Sequence, residues 1–232
     1  MSQSFEVTNL ISEPKHDYFV TQQSASELVR THFSNLRKFE SQYFADFTDW
    51  PTASSRMIPK REINNIEHID WVKASAPDCV LLFGTGILSD EWVNAFPNRI
   101  INLHLGSSPR YRGSATLFWP FVNREIDYVA ATIHLAVQKV DAGPILDWVK
   151  PQIAPSDHYY DITNKTIKSA IGVLPQIVSD YLRGELEPVE QDLTQQAFLY
   201  KRRDFSAEVL KQVLDRYFYH VSKRAEAGRA SD

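Results

Sequence analysis

Asn102 and His104 stand two residues apart in the run Ile-Asn-Leu-His-Leu-Gly-Ser-Ser-Pro-Arg-Tyr-Arg-Gly, which covers residues 101–113. If that run opens as a strand, both side chains leave the same face, because strand side chains alternate. Asp141 precedes Ala142-Gly143-Pro144, a sequence that forces a tight turn, so its carboxylate can face a histidine at a neighbouring strand end. An amide, an imidazole and a carboxylate together suit acyl transfer from one nitrogen to another. The Asn102 amide can stabilise the oxyanion of a tetrahedral intermediate. The His104 imidazole can share that task or shuttle a proton. The Asp141 carboxylate can support a proton on that imidazole and pass it on through water. No protein nucleophile is needed, and the chain has no Gly-x-Ser-x-Gly elbow of the serine hydrolases. An Asn-x-His pair alone also fits a hydrogen-bonded strand end; Asp141 favours the chemical reading.

The elements that must position these groups follow from periodicity. Residues 5–11 read as a short strand. Ser24-Ala25-Ser26-Glu27 has the form of a capping box, and Leu28, Val29, Phe33, Leu36 and Phe39 continue it as a helix to about residue 44. Residues 46–60 mix Pro, Ser, Thr and Asp and read as loop. Residues 66–75 form a short helix with Ile66, Ile69, Trp71 and Val72 inward. The unbroken apolar run 79–83 is a strand of the kind covered on both faces. A helix over 90–96 leads to a strand over 100–103, then a helix over 117–122 and strands over 129–137 and 144–149. Helical periodicity resumes over 156–181, with a kink or break at Pro175, and over 206–223, capped by Ser206. Residues 224–232 read as a frayed tail. This alternation is that of an α/β protein: a mostly parallel sheet covered by helices on both faces. Residues 1–150 make the α/β core and 151–232 a helical C-terminal extension packed on it. Ligands of such sheets bind at strand C-termini, where Asn102 and His104 fall.

Composition narrows the classes. With 232 residues, 43% of them hydrophobic, the chain can bury one sizeable core. A net charge of -4 gives no global field to attract a polyanion, so nucleic-acid binding is disfavoured. No run approaches the roughly 20 apolar residues of a membrane span, and the first residues lack a signal-peptide core; a cytoplasmic location is the expectation. The single cysteine, Cys79, excludes an internal disulfide and reads as a structural thiol.

The run 84–113, with Thr132-Ile133-His134 and Asp141-Ala142-Gly143-Pro144-Ile145, resembles the 10-formyltetrahydrofolate-dependent formyltransferases. These include glycinamide ribonucleotide, methionyl-tRNA and sugar N-formyltransferases. The family pattern of Asn, one residue, His, then Asp nearly forty positions later is met by Asn102, His104 and Asp141, and its His seven residues before the Asp by His134. The resemblance implies a Rossmann-like formyltransferase fold, catalytic roles for the three residues and 10-formyltetrahydrofolate as the formyl donor. It also implies that Thr85, Gly86, Ile87, Leu88, Val137, Gln138, Lys139 and Val140 hold the pterin. The chain departs from the pattern in two ways. It reads as one N-terminal βα unit short and lacks the phosphate-gripping loop of the purine enzyme. The usual His-Pro-Ser-Leu-Leu-Pro is His104-Leu105-Gly106-Ser107-Ser108-Pro109, as in small formyltransferase-like proteins of this group.

Ser107, Ser108, Arg110, Arg112 and His134 are the candidate acceptor contacts. The two arginines could bind a phosphate or the folate glutamyl tail, or could solvate a loop. His16, His32, His68, His158 and His220 show no metal-ligand spacing, so no metal is expected. Phe118 and Trp119 read as core, and Lys201-Arg202-Arg203 as solvated surface. The leading function is transfer of a formyl group to a small primary amine, an amino sugar on a nucleotide first. Methionyl-tRNA, glycinamide ribonucleotide, hydrolysis of the donor and a non-catalytic folate- or partner-binding relative are the alternatives. The two C-terminal helices could serve a homodimer.

Overall fold

The computed structural model describes residues 5–14, 26–47, 53–194 and 197–220. Strand β1 (Asn9–Ser12) pairs in parallel with β2 (Ser54–Met57) as a two-stranded sheet. The four-stranded sheet that carries the site contains β3 (Val80–Phe83), β4 (Ile100–His104), β6 (Ala131–Leu135) and β7 (Ile145–Val149), ordered β3-β4-β6-β7. A short β5 (Tyr111–Gly113) pairs in parallel with β8 (Phe198–Tyr200).

The helices are α1 (Glu27–Tyr43), α2 (Ile66–Ala74), α3 (Asp90–Ala95), α4 (Trp119–Val122), α5 (Tyr159–Leu182) and α6 (Ala207–Leu214). Ser26 caps α1 by accepting from the Val29 amide, while Ser24 lies outside the described residues. Ser206 caps α6 in the same way through Val209. Satisfying one orphan amide at each helix start contributes about 1 kcal/mol.

Alternation along β4 divides the two layers. Ile101 and Leu103 point to one face, where they pack with Ala131, Ile133 and Leu135 of β6 against Ala170, Leu174 and Val178 of α5. Ile100 points to the other, against Ile69 and Val72 of α2 and Trp92 of α3. Asn102 and His104 share that second face. A third core joins Val29 and Phe33 of α1, Trp119 and Phe121 of α4, Tyr159 and Tyr160 of α5, and Leu210 and Leu214 of α6.

The α/β class and the helical C-terminal region stand as expected, with refinements. The four-stranded sheet is mixed: β3 and β4 are parallel, but β4 and β6, and β6 and β7, are antiparallel. The tight turn around Asp141-Ala142-Gly143-Pro144 returns the chain directly alongside β6, which only antiparallel pairing permits. β3 is an end strand whose burial alternates, leaving Leu81 37% and Phe83 48% exposed, so it is not covered on both faces. β2 lies inside the expected loop; four residues without periodicity give no strand signal. Ile66 is exposed and His68 takes the inner position on α2. Pro175 does not break α5, which runs through it. The lost hydrogen bond costs about 3 kcal/mol, and the apolar stripe Ala170, Leu174 and Val178, buried on both sides of the proline, offsets it. The expected helix over 206–223 is α6 followed by a π-helical turn, Asp215–Tyr219, and residues beyond 220 are outside the described set. The C-terminal segment also contributes β8 and a bridge from Val189 to Ile145. Among the described residues no helix is long and apolar enough to cross a membrane.

Candidate active site

The register of β4 against β6 sets Asn102 opposite His134 and His104 opposite Thr132, so four polar side chains share one patch of sheet. Nδ1 of His134 donates to the carbonyl of Leu135 at 2.8 Å. Burial pushes the pKa of this imidazole down, so the ring is neutral and Nε2 carries its lone pair. That lone pair accepts from Nδ2 of Asn102 at 3.1 Å. The contact decides which end of the amide is nitrogen and leaves its second N–H for a ligand oxygen.

His104 is buried, and its Nε2 donates to the carbonyl of Tyr111 at 3.1 Å. Its other nitrogen, Nδ1, lies 3.5 Å from Oδ1 of Asp141. The same oxygen is 3.9 Å from Nε2 of His134. Gly106 lets the chain turn tightly over the ring: a Cβ there would fall 2.6 Å from Nε2 of His104. Thr132 fastens the same loop, donating to the Gly106 carbonyl at 2.6 Å and accepting from the Ser108 amide at 3.0 Å.

Asp141 is held from all sides. Its Oδ2 accepts from the amide of Gly113 at 3.1 Å. Gly113 has φ +96, and a Cβ there would strike the Tyr200 carbonyl oxygen at 2.2 Å, so only glycine brings that amide into place. Asp141 itself has φ +50, a conformation costing of order 1 kcal/mol outside glycine. Three carbonyls of its turn are tied from elsewhere. Arg112 donates to Val140 O at 2.8 Å, and Nε2 of Gln191 donates to Asp141 O at 3.1 Å and to Gly143 O at 2.7 Å.

Asn102, His104, His134 and Asp141 line one cavity of about 530 Å³, a size typical of small-molecule sites. Thr85, Gly86, Ile87, Leu88, Val137, Gln138 and Val140 also line it. With Leu82 and Ala136 they form an apolar wall interrupted by backbone, which suits a flat heteroaromatic ring with polar edges.

Five of the expected contacts, Lys139, Ser107, Ser108, Arg110 and Arg112, are not among the residues that line the cavity. Arg110 forks onto Glu125 at 2.5 and 3.0 Å and lies over the rings of Tyr128 and Phe198. Ser108 is buried, its carbonyl accepting from the Trp148 indole at 2.8 Å. Arg112 serves the Asp141 turn instead.

The sequence reading missed other wall residues: His32, Phe33 and Leu36 of α1, the 114–117 loop, Tyr159 and Phe205. Phe118, expected in the core, is both packed there and on the wall. Helical spacing gave α1 a core-facing stripe, and no local signal says that this stripe ends at a cavity. Among the described residues no cluster of His, Cys, Asp or Glu could hold a metal ion.

The formyl transferase family model matches residues 2–178. Solved structures of the same fold include a sugar N-formyltransferase from a Shewanella species, 16% identical, covering 87% of this chain and 79% of that one with a TM-score of 0.55. The formyltransferase PseJ from Anoxybacillus kamchatkensis, solved with UDP-4,6-dideoxy-4-formamido-L-AltNAc and tetrahydrofolate, is 16% identical over 85% of this chain and 87% of its own, with a TM-score of 0.55. A phosphoribosylglycinamide formyltransferase from Anaplasma phagocytophilum is 14% identical over 85% and 99%, with a TM-score of 0.53.

Proposed function

The chain belongs to the formyl transferase family, and from that premise we propose that it transfers a formyl group from 10-formyltetrahydrofolate to a small primary amine, an amino sugar carried on a nucleotide being the leading acceptor. The observation that carries this reading is the meeting, in one cavity, of an oriented amide at Asn102, a buried imidazole at His104 and the Asp141 carboxylate 3.5 Å from it. PseJ and its bound sugar nucleotide favour an amino sugar among the possible amines.

Residues 84–88, 137, 138 and 140 hold the donor, whose contribution is a formyl carbon bonded to a nitrogen that can leave. Asn102, its first N–H spent on His134, offers the second to the formyl oxygen as negative charge gathers there. One such donor is worth about 10²–10³ in rate when preorganised. His104 and Asp141 take up the proton that the amine gives up as its nitrogen bonds to the formyl carbon, and return it to the donor nitrogen as that bond breaks. Charge and protons balance, and no side chain becomes acylated.

A spectroscopic assay of 10-formyltetrahydrofolate consumption against a panel of amino-sugar nucleotides, with formamide product followed by mass spectrometry, tests the reading. Donor consumption with formylated sugar is expected. Formate release without a formylated acceptor would make the protein a hydrolase, and no consumption with any amine would refute catalysis.

A further inference from the structure

The cavity has two ends built by different cores. Leu82, Leu88 and Ala136 belong to the cluster beneath α2 and α3, whereas Phe33, Phe118, Tyr159 and Phe205 belong to the cluster joining α1, α4, α5 and α6. His32 lines the second end, 3% exposed, with Nδ1 3.0 Å from the Tyr160 hydroxyl. The Asn35 side chain hydrogen-bonds the same hydroxyl and stabilises its oxygen as a donor amide would. The Tyr160 O–H is then committed to Nδ1, and the ring proton sits on Nε2. Burial keeps the imidazole neutral, its pKa lowered to about 4. Among the described residues on the cavity wall there is no Lys or Arg, and Asp141 is its single carboxylate.

We propose that the aromatic end is the acceptor subsite and that His32 sets its specificity, donating from Nε2 to a neutral oxygen of the uncharged ring that bears the amine. The inference rests on the formyl-transfer reading of the same cavity. Flat aromatic walls fit the C–H faces of such a ring, and one fixed donor orients it. A phosphate buried beside Asp141 without a cation would be strongly disfavoured, so any phosphate on the acceptor stays outside the cavity. The amine, positively charged before it loses its proton, is drawn toward Asp141.

Calorimetric titration of the full chain saturated with tetrahydrofolate, using the methyl glycoside of 4-amino-4,6-dideoxyglucose and the matching sugar 1-phosphate, tests this. The glycoside is expected to bind, and the phosphate to bind no tighter. His32→Phe weakens the glycoside by about tenfold, the scale of one buried hydrogen bond. His32→Gln, which keeps an N–H donor, retains most of the affinity. Tyr160→Phe, off the cavity wall, weakens it by releasing the ring tautomer. Failure of the glycoside to bind, at least tenfold tighter binding of the phosphate, or indifference to both His32→Phe and Tyr160→Phe overturns the proposal. Failure of tetrahydrofolate itself to bind is a separate result: it removes the formyl-transfer reading, and the subsite with it.

Discussion

Across the β4–β6 rung, the amide nitrogen of Asn102 lies 3.1 Å from Nε2 of His134, and the other nitrogen of that ring is spent on the Leu135 carbonyl. The two contacts make His134 a one-sided acceptor that tells the Asn102 amide which way to face. His134→Phe is expected to lower kcat by about tenfold, a fraction of what a whole oxyanion donor is worth, with little change in donor binding. His134→Gln, whose side-chain oxygen can still accept, should recover part of the loss. Steady-state kinetics with the kcat and KM effects separated checks this. An equal fall in donor affinity would assign His134 to binding rather than orientation.

Gln191 lies beyond the stretch matched by the family model, yet its amide bridges two carbonyls of the Asp141 turn. Gln191→Ala orphans both, costing about 1–2 kcal/mol of stability and loosening the backbone that holds Asp141 at positive φ. Reduced kcat with unchanged donor KM, together with faster amide exchange confined to residues 140–143, is the expected pattern. Normal kcat in a destabilised variant would make Gln191 purely structural.

His32 links the pocket to acid stability. Its pKa is lowered from 6.5 to about 4 by burial among Phe33, Tyr159 and Phe205, with Tyr160 on Nδ1. Between those values the unfolded chain binds the proton that the folded chain refuses, so stability is lost as pH falls from about 6.5 toward 4. The contribution is of order 3 kcal/mol. Urea midpoints measured at pH 7 and pH 4.5 should drop less for His32→Phe than for the wild type. Parallel slopes would place the acid sensitivity elsewhere.

The arginine at position 110 carries the opposite expectation from the one its sequence context suggests. Its fork is already filled by Glu125, which also accepts from the Tyr111 hydroxyl at 2.6 Å. Arg110→Met should cost about 1 kcal/mol of stability, the scale of a partly exposed ion pair, and leave KM for donor and acceptor unchanged. A several-fold rise in either KM would put the guanidinium back in the substrate's path.

These contrasts mark what the chain makes legible. Asn102, His104 and Asp141 could be found because two lie on one strand at period two and the third opens a turn with a strong Gly-Pro signature, whereas His134 was found only through the resemblance to the formyltransferase pattern. The β4, β6 and β7 strands and the long helix α5 follow from apolar runs and helical spacing. Arg110 stayed ambiguous because a charged side chain in a loop looks the same in sequence whether or not a carboxylate fifteen residues on neutralises it. Gln191, Phe205 and His32 were invisible as site residues. Each reaches the cavity or the Asp141 turn through packing between segments far apart in the chain, and nothing in local periodicity records that. β2 is four residues long, and β8 three, and both are set by their partners rather than by their own pattern.

Asp141, 3.5 Å from the His104 ring, is proposed to complete the proton path of formyl transfer. Asp141→Asn keeps the size of the side chain while removing its charge, and it tests that claim most directly when single-turnover formyl transfer and tetrahydrofolate affinity are measured on the same protein. The expected result is a loss of at least about 10³ in the transfer rate, within the range general acid–base catalysis contributes, at unchanged tetrahydrofolate affinity. Transfer at the wild-type rate by a folded Asp141→Asn protein would contradict it.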